Sequence, residues 1–168
     1  PDTSMIKDEY TTFDMTVAAV KTGNEISKYQ RGSKADPIFV IASDLEGYNG
    51  RTHQNIKLDE GEILLGENKN NKISDTLKIG DRDFKVIKIG SIFPLEYSGV
   101  DGYNIVVKDM STLEFVREAL DGSDITCSIY WDVDGANDKE YMNRLTKLVS
   151  DMKSEFKGDG SGMIDVSS

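Results

Sequence analysis

The sequence predicts an α+β fold: a mixed β-sheet packed with two main helices and closing with a C-terminal βαβ-like unit. Three observations lead there. Short β-branched and aromatic runs bounded by turn formers recur from Phe13 to Trp131. Two segments, starting near Ser111 and near Asn137, carry apolar residues at helical spacing. The elements interleave without the strict alternation of an all-parallel sheet. At 168 residues and 18.7 kDa the chain makes one domain, or two small lobes, and is long enough to fold without a disulfide or metal framework.

Taken in order, Phe13-Asp14-Met15-Thr16-Val17 is apolar at alternate positions, as on a half-buried strand. Residues 23–36 mix Gly, Asn, Ser, Lys and Arg and accommodate at most one short helical turn, around Glu25 to Tyr29. Pro37 to Ala42 reads as a fully buried strand, and Ser43-Asp44-Leu45-Glu46 opens a short helix that ends in the turn Asn49-Gly50. Gly61 provides a tight turn into a strand through Ile63-Leu64-Leu65, and Glu67 to Ser74 is a solvated loop. Strands at Thr76 to Ile79 and Asp83 to Ile92 are joined through Gly80-Asp81-Arg82 as a hairpin, and Ile105-Val106-Val107 is a further strand.

Ser111-Thr112-Leu113-Glu114 fits a capping box. The helix it opens carries Phe115, Val116, Ala119 and Leu120 and stops at Gly122 as its C′ residue. Ile125, Cys127, Ile129 and Trp131 alternate along a strand and are expected to point inward. The second helix runs from about Asn137 to Phe156, with Tyr141, Leu145, Leu148, Val149, Met152 and Phe156 forming one stripe. That stripe is expected to pack on the sheet containing Ile125, Cys127 and Ile129, with Met163 to Val166 as the last strand.

Composition excludes several functions. With 20 basic and 30 acidic residues the chain has a net charge of −10 and a pI near 4.6. Binding to nucleic acid or to anionic lipid needs a clustered positive field, so neither is expected as a partner. A single cysteine excludes an internal disulfide and any multi-cysteine zinc site, and a single histidine excludes paired-histidine metal motifs. No window approaches the roughly 18 apolar residues of a membrane span. The chain opens Pro1-Asp2-Thr3-Ser4 without an initiator Met or signal peptide, and is expected to be a piece of a longer protein.

The residues assign no catalytic, cofactor-binding or metal-ligating role. His53 lies in a polar loop with no partner suggested by sequence, and Cys127 reads as a small hydrophobe of the strand. The segment from Asp132 to Glu140 is rich in oxygen ligands but misses the EF-hand register. Its Gly135 stands at the fourth position where the loop needs the sixth, and the twelfth is Asn143 where it needs Glu. Asn137 or Asp138 as helix N-cap explains the polar cluster, although weak Ca²⁺ binding stays open. Gly158-Asp159-Gly160-Ser161-Gly162 lacks the Gly-Lys-Ser/Thr ending of a phosphate loop. One imbalance stands out. From Asp121 to Glu140 six acids face one base, which makes Asp132, Asp134, Asp138 and Glu140 a candidate ligand-facing acidic turn.

From Asp36 to Leu120 the order of elements is Ile38 to Asn49, Leu58-Asp59-Glu60-Gly61-Glu62-Ile63-Leu64-Leu65, Ile79-Gly80-Asp81, and Tyr103 to Asp109. It resembles the extracytoplasmic domain of FtsX-like ABC-transporter permeases, relatives of the MacB periplasmic domain. The likeness is closest to the Gram-positive type associated with peptide antibiotics. Residues 1–35 match nothing in that family. The resemblance implies a non-catalytic domain on the extracellular face of the membrane, tethered by transmembrane helices of the same parent chain. It also implies a separate cytoplasmic ATPase subunit and a cationic or lipid-linked antimicrobial peptide as ligand. Two other readings stay open: a secreted or surface-anchored interaction domain, and an enzyme built on carboxylates.

Overall fold

The computed structural model describes residues 3–66, 74–89, 102–133 and 139–155. They form eight strands and three helices: β1 (Ile6–Thr22), β2 (Glu25–Lys28), β3 (Ile38–Asp44), α1 (Leu45–Thr52), β4 (Glu62–Gly66), β5 (Thr76–Ile79), β6 (Arg82–Ile89), β7 (Gly102–Val107), α2 (Met110–Leu120), β8 (Thr126–Val133) and α3 (Lys139–Glu155). The chain divides into two compact units. One comprises residues 10–129, the other residues 1–9 with 130–168. Both boundaries fall inside strands, within β1 and within β8.

The larger unit is not the α+β, helix-packed mixed sheet that the sequence predicts. It is a closed, mixed, mostly β barrel of seven strands in the order β2-β5-β6-β4-β7-β3-β1, with β1 pairing back onto β2. Closure depends on the length of β1. Asp14 to Ala19 pair antiparallel with Ser43 to Ile38 of β3, while Ala19 to Thr22 pair antiparallel with Lys28 to Glu25 of β2. Ala19 is therefore flanked on both edges, and its small side chain is fully buried. Elsewhere β3–β7, β4–β6 and β2–β5 are parallel, and β4–β7 and β5–β6 antiparallel.

The interior follows from strand alternation, which sends every second residue to the same face. Met15 and Ala19 of β1, Ile26 of β2, Val40 and Ala42 of β3, and Ile63 and Leu65 of β4 share one core with Leu77, Phe84, Ile105 and Val107. Leu113, Val116 and Leu120 of α2 belong to the same core. The helix packs on β2 and β5 and on β3 and β7, the strands to either side of β1, with its apolar face in the barrel's core. Alternate residues face outward. Ile87, Leu64 and Val106 stand opposite one another across β6, β4 and β7, where Leu45 and Tyr48 of α1 and the Ile56–Leu58 segment cover them. β4 is thus buried on both faces, which explains its continuous apolar run.

Several local expectations hold. β5 spans the expected residues, and it joins β6 through a two-residue connection with Ile79 opposite Arg82. Gly80 there has φ +61° and Gly61 has φ +77°, conformations that other residues adopt at a cost.

Others are corrected. The expected helical turn at Glu25 to Tyr29 is strand β2, because β1 and β5 hold it from both sides. α1 continues past Asn49-Gly50 to Thr52, and α2 is capped by Asp109, not Ser111. The Asp109 carboxylate accepts hydrogen bonds from the Thr112 N–H (2.8 Å) and hydroxyl (2.6 Å), and an ionised acceptor is the stronger cap. Glu114, expected to complete the box, instead pairs with Arg117 at 3.2 Å.

α1 and α2 end alike. His53 and Asp121 take the left-handed conformation, and the following N–H groups of Gln54 and Gly122 reach back to the carbonyls of Asn49 and Arg117. Gly122 is therefore not the left-handed residue. A Cβ there would lie 2.8 Å from Met15 Sδ, so a larger residue would require the Met15 side chain to shift.

In the smaller unit, Leu145 and Leu148 of α3 are buried (4% and 3% exposed) among Met5, Ile6, Trp131, Tyr141, Met142 and Met152. The Tyr141 hydroxyl donates to the Met5 carbonyl (2.9 Å), and Trp131 Nε1–H donates to Glu9 (2.8 Å). The stripe is buried within the smaller unit, whereas Cys127 and Ile129, expected beneath it, belong to the larger unit and are exposed. Residues 137, 138, 156, 158–162 and 163–166, read above as helix cap, helix end, glycine loop and last strand, lie outside the described residues.

These contacts separate two substitutions that the sequence treats alike. Leu145→Ala is expected to lower stability by about 2–5 kcal/mol, whereas Ile129→Ala, at a side chain 49% exposed, changes it by no more than about 0.5 kcal/mol. Denaturant unfolding of both variants checks this. Asp121→Gly is expected to raise stability by up to about 1 kcal/mol, because glycine relieves the left-handed strain while adding unfolded-state entropy. The exposed Lys28–Asp121 pair (3.6 Å) that it removes contributes little.

Candidate functional site

The acidic turn lies only partly within the described residues. Asp132 is on β8, half-buried, and Glu140 is exposed in the first turn of α3, both in the smaller unit. At that helix N-terminus Glu140 meets the positive end of the helix dipole. Asp134 and Asp138 lie outside the described residues. Among the described residues no group of three or more His, Cys, Asp or Glu side chains is placed to hold a metal ion.

His53 is exposed and ends α1, its ring and that of Tyr10 forming a T-shaped pair with 5.7 Å between centroids. Its chain position is the left-handed one that terminates the helix, a structural task that an imidazole shares with Asn and Asp. Cys127 is exposed, which corrects the inward position expected from the alternation of β8. Only Ile125 of the barrel half of that strand segment packs on the core. Alternation along a strand puts residues on one face without burying them, and at Cys127 and Ile129 that face stays exposed.

The structure also gathers a polar cluster that sequence reading misses, on the outer wall where α1 crosses β1. At its centre is Asp44, 6% exposed. One carboxylate oxygen accepts from the Gly47 N–H (3.1 Å), capping α1; the other accepts from the Phe13 N–H of β1 (2.8 Å). One side chain thereby fixes a helix to a strand 31 residues earlier in the chain. The two backbones approach so closely that a Cβ at Gly47 would lie 2.7 Å from Thr12 Cα and 2.8 Å from the Thr11 carbonyl oxygen. Gly47 is thus required by space, not by backbone angle.

Asp14 sits beside this clamp, opposite Ser43 on β3. Burial pushes its carboxyl above the usual value of 3.8; the Arg51 guanidinium opposes that rise and the Asp44 carboxylate adds to it. Tyr48, on the buried face of α1, has its phenol pushed up by burial, countered by a hydrogen bond with the Gln54 side chain. Asn49 completes the arrangement. Its amide donates to the Ile56 carbonyl (2.8 Å) and accepts from the Ile56 N–H (3.0 Å), holding the segment after α1 against the helix. The Ser-Asp pair before Leu45 does signal a helix start. Nothing local signals the reach to Phe13.

Chemically this cluster is a clamp. Both oxygens of Asp44 are engaged by backbone N–H groups, and Asp14 is countered by Arg51. No family model matches the chain, and no curated protein matches it.

Two outcomes follow from the clamp. Asp44→Ala is expected to cost about 2–4 kcal/mol, the loss of a helix cap together with a buried N–H left without an acceptor, and Asp44→Asn less, since its amide oxygen replaces one acceptor. Thermal unfolding of both variants tests this order. Asp14 gives a pH signature. With its folded pKa above the unfolded 3.8, the folded state binds the proton more tightly, so Asp14 lowers stability above the raised pKa and ceases to do so below 3.8. Asp14→Asn is therefore expected to melt higher than the parent near neutral pH, with the difference shrinking as pH falls through that window. Asp109, whose carboxyl is held low chiefly by the Thr112 hydroxyl and N–H, acts oppositely: its contribution is present above 3.8 and lost as pH falls through its folded value.

Proposed function

We propose that this chain is a non-catalytic extracellular domain of an ABC-transporter permease. In this reading it is tethered by transmembrane helices of its parent chain and couples binding of a cationic or lipid-linked peptide to a separate cytoplasmic ATPase. One observation carries the reading. The described residues of the stretch that resembles such domains, from Asp36 to Leu120, lie within a single compact unit, and its turns and strands are that unit's structural joints. Ile38 to Asn49 are β3 running into α1, Gly61 turns into β4, Gly80 turns β5 into β6, and Tyr103 to Asp109 are β7 with the cap of α2.

Two further features support recognition at the surface. The barrel interior is occupied by apolar side chains of the strands and of α2, so a ligand's contacts would be made outside it. The net charge of −10 produces a negative field that raises the local concentration of cations and speeds their encounter.

The test is titration of a cationic peptide onto the protein. Raising salt from about 0.1 M to about 1 M shortens the Debye length from ~10 Å to ~3 Å, so binding is expected to weaken several-fold. Replacing Asp132 and Asp134 together by Asn is expected to weaken it at low salt. An affinity indifferent to both salt and the double substitution would remove the acidic turn from the reading. The tether has its own check. In the parent protein an apolar helix of about 20 residues is expected on each side of this segment, and their absence would overturn the permease assignment.

A further inference from the structure

We draw no further inference here: the strongest candidate, the exposed run of β8 that carries Cys127 and Ile129 at the end of the sheet order, is an apolar strand surface for which nothing among the described residues shows what covers it.

Discussion

The barrel exists because β1 hydrogen-bonds along both of its edges. From Asp14 to Ala19 it pairs with β3, and from Ala19 to Thr22 with β2. β2 has only four residues and meets β5 through just Glu25 and Ile26, so β1 is its main support. Once β2 is held, the curved sheet has no gap between β2 and β3, and the unpaired backbone groups that would otherwise line it are satisfied. The inward-facing rows then converge from all sides onto a single core. α2 contributes Leu113, Val116 and Leu120 to that same core.

A second constraint seats the outer layer. Leu64 and Val106 point away from the interior and would be exposed apolar surface if α1 did not lie over them. Hydrophobic burial favours that position without specifying it, since burial is non-directional. Direction comes from hydrogen bonds. Asp44 ties the first turn of α1 to the Phe13 N–H, Asn49 ties the following segment to the helix, and Gly47 lets the helix backbone approach β1. The cost of burying an acid here is met by two backbone donors, whereas Asp14, with less direct compensation, carries its burial as a raised pKa.

Filling the barrel has a consequence for function. A small barrel whose inward positions are packed presents its chemistry on loops, outer faces and field, not in a lumen. In the proposed reading this suits a domain that meets a peptide from outside and passes the event to its parent chain. Among the described residues, Asp14, Tyr48 and Asp109 have displaced pKa values, and each answers to burial or to a cap within the fold.

Local structure was largely legible in the residues. β3, β5, the hairpin turn at Gly80, the helical character of 110–120 and 139–155, and the burial of Leu145 and Leu148 all follow from periodicity and turn chemistry, which act over a few residues. The misreadings share one cause. Glu25 to Lys28 has turn-like composition but becomes a strand because β1 and β5 flank it. Cys127 and Ile129 alternate like buried residues but remain exposed, while Trp131, two residues further along the same strand, packs with α3. Asp44 looks like a simple helix cap but also reaches a strand 31 residues away. The sequence by itself determined which segments extend, coil or turn, because those preferences are set by each side chain and its near neighbours. Whether the sheet stays open or closes was decided only in the tertiary structure, because closure depends on which distant strand occupies the second edge of β1, and hydrogen-bonding backbone is the same in every residue but proline.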